Sequence, residues 1–125
     1  MDRAETIAFD FIDDIAVLRL VGQFTLPVGV ESIRKGIAQA REQRISRMMV
    51  VITETAGYAV PSLSMRLSMM REWADAADGS IRLVMVCRPE FIDPHKFGIT
   101  MAANFGMVAN VFETENEAID WLRQP

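Results

Sequence analysis

The stretch Arg47–Met48–Met49–Val50–Val51–Ile52–Thr53 is a short apolar run closed by polar residues, with no helical spacing of its own. Such a run suits a strand buried on both faces, in the middle of a parallel sheet, where helices leave neither side to water. A second run of the same kind, Ile81–Arg82–Leu83–Val84–Met85–Val86–Cys87, follows after a helical segment. Together they make a strand–helix–strand unit with both strands running the same way. Every other assignment is placed relative to this pair.

Upstream, Thr6–Phe11 and Ile15–Leu20 are two further strands, with Asp13–Asp14 as the turn between them. The spacing is that of a hairpin, and Ile7, Phe9 and Phe11 alternate onto one face. The sheet therefore starts antiparallel and continues parallel. Gly22 to Leu26 is a connection, and Pro27 can open a helix, where its missing N–H costs nothing. Val30, Ile33, Ile37 and Ala40 then recur on one helical face. Gly36 costs that helix about 1 kcal/mol relative to alanine and lets it sit close to the sheet.

After the central strand, Thr55 to Pro61 is a loop, and Ser62 or Ser64 can cap the next helix. Leu63, Leu67, Met70, Ala74 and Ala77 form its expected core stripe, with Gly79 as the stop. Met65, Met69 and Trp73 form a second stripe, displaced from the first. Beyond Cys87, Asp93–Pro94 reads as an N-cap with proline at the first helical position, opening a helix through Phe97, Met101 and Phe105 to Gly106. Met107–Phe112 is the last strand. Thr114 with Glu117 is a capping box that opens a short terminal helix docked by Ala118, Trp121 and Leu122. The expected fold is α/β, a mixed and mostly parallel sheet of about five strands with about four helices, in the order β-β-α-β-α-β-α-β-α, as a single domain over residues 1–125.

That order resembles the STAS domains, the anti-sigma-factor antagonist and sulfate-transporter fold, and more closely their small SpoIIAA-like branch. The resemblance rests on the paired first strands, on Met48–Thr53 with its loop into a helix near Ser62, and on the tail Val111–Leu122. It implies a protein-interaction module in which a partner kinase phosphorylates a serine at the start of the second helix and so breaks a complex. A phosphate adds nearly two negative charges at a docking surface. The family pattern there is Asp-Ser followed closely by Gly, whereas this chain reads Val60–Pro61–Ser62–Leu63–Ser64. The acidic residue is missing, and Ser62 and Ser64 are as well explained as helix caps.

Composition narrows the classes of function. The 125 residues carry a formal net charge of −4 with both signs mixed, half are hydrophobic, and no run approaches a membrane span of roughly 20 apolar residues. A concentrated basic face for nucleic acid is lacking. One cysteine and no apolar leader near the N-terminus point to a reducing, cytoplasmic setting. One histidine and one cysteine do not make a dedicated metal site, and no cofactor is expected. Cys87 and His95 both fall near the carboxyl edge of the sheet, but a cysteine ending an apolar strand usually acts as a small buried hydrophobe. Asp13–Asp14 with Glu54 lacks the spacing of a phosphate-receiving pocket.

Two binding surfaces follow. Glu54, Thr55, Tyr58, Arg88, Glu90 and His95 are the polar groups placed to rim a cleft at the carboxyl edge, where open α/β sheets bind ligands. If Leu63, Leu67 and Met70 face the sheet, then Met65, Met69 and Trp73 form an outward apolar stripe of the kind that marks partner surfaces. The expected function is a non-enzymatic interaction or regulatory module that binds a protein partner and forms a homodimer through Met65, Met69 and Trp73. The alternative is a module for a small apolar or lipid-like ligand at the carboxyl edge.

Overall fold

The computed structural model describes residues 5–125. Strands β1 (Thr6–Ile12), β2 (Ile15–Gln23), β3 (Arg47–Ala56), β4 (Arg82–Val86) and β5 (Ala109–Phe112) form one sheet. Helices α1 (Leu26–Glu42), α2 (Leu63–Ala77), α3 (Phe97–Asn104) and α4 (Glu115–Leu122) alternate with the later strands. The strands lie side by side in chain order, β1 antiparallel to β2 and the other pairs parallel. The α/β fold expected from the chain is the fold found.

This order explains the layers. Each parallel strand is laid beside the last in the same direction, so right-handed crossovers send α1, α2 and α3 to the same face. There, Ile33, Ile37 and Ala40 of α1, Trp73, Ala74 and Ala77 of α2 and Ala102 of α3 close over Leu18, Met48, Val50 and Leu83. The other face holds Val17, Met49, Val51, Val84 and Val86 and is covered by Ala118 and Leu122 of α4. Both central runs are thus shielded on both sides, which is why they need no polar alternation.

Local signals act where they were read. Asp13 takes the left-handed conformation (φ 53°) in the turn that pairs Ile12 with Ile15. Phe9 and Phe11 share a face, their rings edge to face at 5.7 Å. Gly36 lies under α1, where a Cβ would come within 2.7 Å of Leu18 Cδ2 and 3.2 Å of Met48 Cε. Thr114 Oγ1 accepts from the Glu117 N–H (3.3 Å) and donates to Glu117 Oε1 (2.8 Å).

Arg82 interrupts the second apolar run for a reason that only α4 supplies. Its guanidinium lies 4.6 Å from the Trp121 ring and donates to the carbonyls of Gln124 (2.5 Å) and Trp121 (3.4 Å), at the end of α4. At the other end of α4, Arg19 forks onto Glu115 with two bonds of 2.9 Å. The Arg19 hydrogen bonds hold the Glu115 carboxyl below its ordinary range. Both side chains are well exposed, so the pair contributes less than about 1 kcal/mol.

Two expectations need correction. Helix α3 does not start at Pro94: residues 93–96 form a turn, Lys96 is left-handed (φ 52°), and the helix begins at Phe97. Lys96, not Asp93, is the N-cap, and Asp93 accepts the Phe97 N–H at 2.8 Å from the preceding turn. A short 3-10 turn, Pro89–Phe91, precedes it. The second correction concerns α2. Its buried face lies between the two expected stripes, taking Trp73 from one and Ala74 and Ala77 from the other. Leu63 (58 % exposed) and Leu67 (42 %) are left in solvent, while Trp73 is fully buried. An indole has the most surface to hide, and its Nε1–H finds the Val30 carbonyl on α1 at 3.1 Å. Leu63 and Leu67 belong to the N-terminal half of α2, where none of the buried residues of the helix lies.

Candidate functional site

A cavity of about 140 Å³, partly open to solvent, lies between the sheet and helices α1, α2 and α3. Its floor is the carboxyl half of the strands: Leu20 of β2, Ile52 of β3, Met85 of β4 and Val111 of β5. Val30 and Ile33 of α1, Met69, Met70 and Trp73 of α2 and Ile99 of α3 form the roof. Because the strand order never reverses, there is no switch-point crevice of the usual doubly wound kind. The three helices over the cavity are unequal: α3 has 8 residues, against 17 for α1 and 15 for α2.

The polar rim is partly as expected. Thr55 Oγ1 donates to the Ile52 carbonyl (2.7 Å) and lies 2.5 Å from the Tyr58 hydroxyl. The threonine proton being spent on Ile52, the tyrosine donates in that short contact. The Tyr58 ring leans on Phe91 at 5.3 Å. Arg88 donates to the Thr55 carbonyl (2.7 Å) and to Glu90 (2.8 Å), and its guanidinium lies 5.2 Å from the Phe91 ring. The Glu90 carboxyl is held below its ordinary range by its own backbone N–H and by Arg88.

Thr55 and Tyr58 line the cavity; Arg88 and Glu90 do not, Arg88 holding the Thr55 carbonyl and Glu90 holding Arg88. Glu54 and His95 are exposed and away from the wall.

Cys87 does reach the cavity wall, and burial pushes its thiol up to about 11. Its expected companion His95 instead packs against the Phe97 ring at 5.7 Å. A protonated thiol with no base beside it is not an activated nucleophile. Among the described residues, no group of three or more His, Cys, Asp or Glu side chains could hold a metal ion. None of the helices among them is long and apolar enough to cross a membrane.

The helix-start serines and the methionine stripe separate in space. Ser62 is the N-cap of α2, accepting the Met65 N–H at 3.2 Å, and Ser64 is exposed on the first turn. Met65 is exposed, Met69 lines the cavity and Trp73 is core, so the three do not share one outward face. Arg66, Asp93 and Lys96 on the cavity wall were missed by sequence reading. Asp93 was noticed only as a cap, and Arg66 has no local signal beyond its place on α2.

No family model matches this chain, and no curated protein matches it by sequence. Several solved structures resemble it. An anti-sigma factor antagonist from Mycobacterium paratuberculosis is 12 % identical with a TM-score of 0.63, over 97 % of this chain and 96 % of that one. An uncharacterized protein with a SpoIIAA-like fold from Shewanella loihica is 18 % identical with a TM-score of 0.55, over 98 % and 95 %. The unphosphorylated anti-sigma factor antagonist SpoIIAA is 23 % identical with a TM-score of 0.51, over 96 % and 100 %. Five strands in this order, the antiparallel start and the near-complete overlap agree: the chain has the SpoIIAA-like fold of the STAS domains.

Proposed function

We propose that this protein is a non-enzymatic binding module that holds a small apolar or lipid-like ligand in the cavity at the carboxyl edge of its sheet. The cavity itself carries the reading: an opening walled by aliphatic, methionine and aromatic side chains, with a few polar groups at its margin. Ligand sites have this composition, mostly apolar with sparse orienting groups. A dry cavity of about 150 Å³ is enough to take up one benzene molecule, so the ligand places a single ring or a short chain inside. The buried thiol of Cys87, held protonated, serves as wall rather than nucleophile.

Ala109 pairs with Leu83 and lines the cavity, so Ala109→Phe adds a ring where the ligand would sit. The wild type is expected to bind 1-octanol saturably and to unfold at a higher temperature in its presence. Ala109→Phe is expected to bind it at least about tenfold more weakly while remaining folded. Calorimetric titration with thermal unfolding checks both. Equal affinity in the two proteins would remove the cavity as the site.

A second reading, a self-associating interaction module, draws on the outer side of α2. Leu63, Met65 and Leu67 are exposed there, beside a shallow groove against Leu26 and Val30 of α1. The fold likeness to anti-sigma factor antagonists supports a protein partner, and a second copy is the occupant this reading names. Leu63→Glu with Leu67→Glu should convert a dimeric mass in solution to a monomeric one. A wild type that is already monomeric ends this reading and leaves the first intact.

A further inference from the structure

Three charged side chains stand on the cavity wall: Arg66, Asp93 and Lys96. Asp93 is engaged at the start of α3, where its carboxylate accepts the Phe97 N–H. Lys96 is exposed and turned toward β5, its Nζ 3.5 Å from Asn110 Oδ1 and 5.5 Å from the Phe112 ring. This acid and base offset each other, and Arg66 remains as the net charge of the wall. Arg66 is half-buried, and its Nε donates to the Pro61 carbonyl at 3.3 Å. Among the described residues its guanidinium meets no carboxylate. A charge removed from water without a counter-charge is costly, and a ligand that supplied one would relieve that cost. The charge is also felt inside the cavity: Arg66 is the strongest influence opposing the upward push that burial exerts on the Cys87 thiol.

We propose that the cavity takes the apolar end of a monocarboxylate, one aryl ring or a short alkyl chain, and that Arg66 binds the carboxylate. The inference rests on the cavity reading above and names its ligand class. A guanidinium presents parallel N–H donors that match the two oxygens of a carboxylate, which a neutral hydroxyl cannot use in the same way. The methionine and aromatic roof shelters the hydrocarbon, and Arg66 fixes which end points outward.

Octanoate and 1-octanol carry the same chain with and without the charge, and octylamine reverses it. Calorimetric titrations of the wild type should rank octanoate first, about tenfold to a hundredfold tighter than 1-octanol, and octylamine last. Arg66→Met keeps the apolar stem and should bring octanoate down to the 1-octanol level measured on the same variant, abolishing the preference for the charged ligand. Arg66→Lys should restore part of the preference. A wild type that binds 1-octanol as tightly as octanoate overturns the carboxylate proposal and leaves the apolar cavity standing. A wild type that binds neither overturns both. The ranking on the wild type needs no variant to fold, so the outcome does not depend on the stability of Arg66→Met.

Discussion

Replacing Trp73 with alanine is expected to lower the free energy of unfolding by about 3–5 kcal/mol, the range for emptying a fully buried indole site. Trp73 is the largest fully buried side chain of the molecule among the described residues. It sits where α2 meets α1, packed in the cluster that covers Leu18, Met48 and Val50, and its Nε1–H binds the Val30 carbonyl. Removing it takes away both the packing between the two helices and that cross-helix hydrogen bond. It also opens the roof of the cavity, which Trp73 helps to line. Trp73→Phe should cost clearly less, because a ring remains and only the N–H bond is lost. Urea unfolding curves of the three proteins, compared at constant slope, give the numbers. If Trp73→Ala costs less than about 1 kcal/mol, the burial assigned to α2 is wrong, and with it the correction that puts Trp73 in the core rather than on an outward stripe.

Gly57→Ala is the second large effect, on the order of 2–3 kcal/mol of destabilisation. Gly57 has φ +101°, where an L residue is strained. Its surroundings make the cost worse. A Cβ there would lie 2.6 Å from the Phe24 carbonyl oxygen and 2.9 Å from Gln23 Oε1, and the nearer of these is backbone. The Phe24 N–H is itself bonded to the Ala56 carbonyl at 2.8 Å, so the segment after β2 and the end of β3 are tied together beside Gly57. Neither side can retreat without breaking that bond. Because the clash is independent of torsional preference, Gly57→Asn should be no better than alanine. The same movement would shift Thr55, Tyr58 and Phe24 on the cavity wall, so 1-octanol affinity should fall with stability. Unfolding curves that show less than about 0.5 kcal/mol of change for Gly57→Ala would mean that this loop is not held as the structure has it.

The strands were readable because their burial is written in each residue separately. Met48–Ile52 and Leu83–Cys87 are apolar at every turn of the pleat, which has no reading as a half-exposed strand. Caps and turns were equally local: Asp13, Ser62, Asp93 and Thr114 each act on backbone groups a few residues away. The start of α3 was misplaced because Pro94 permits a first helical turn without requiring one, and the chain used residues 93–96 to turn instead.

Helix rotation was a different matter. The periodicity of α2 offers two apolar stripes, and nothing in the stripes says which faces inward. Val30, on another helix 43 residues away, offers the carbonyl that the Trp73 N–H takes. The candidate rim divided for the same reason. Thr55 lies near the end of β3 and Tyr58 in the loop just after it, so a known strand direction carries both to the cavity, but Arg66 reaches it only through the angle at which α2 lies on the sheet.

What the amino-acid order by itself determined is the list of elements, their sequence along the chain, and a sheet that begins antiparallel and ends parallel, since these follow from contacts between near neighbours and from the period of burial. Tertiary structure alone decided which side of α2 is hidden, which side chains wall the cavity over the carboxyl ends of β2 to β5, and that the guanidinium of Arg66 stands among them. Those features depend on how separate elements meet in space, and no single stretch of chain contains that information.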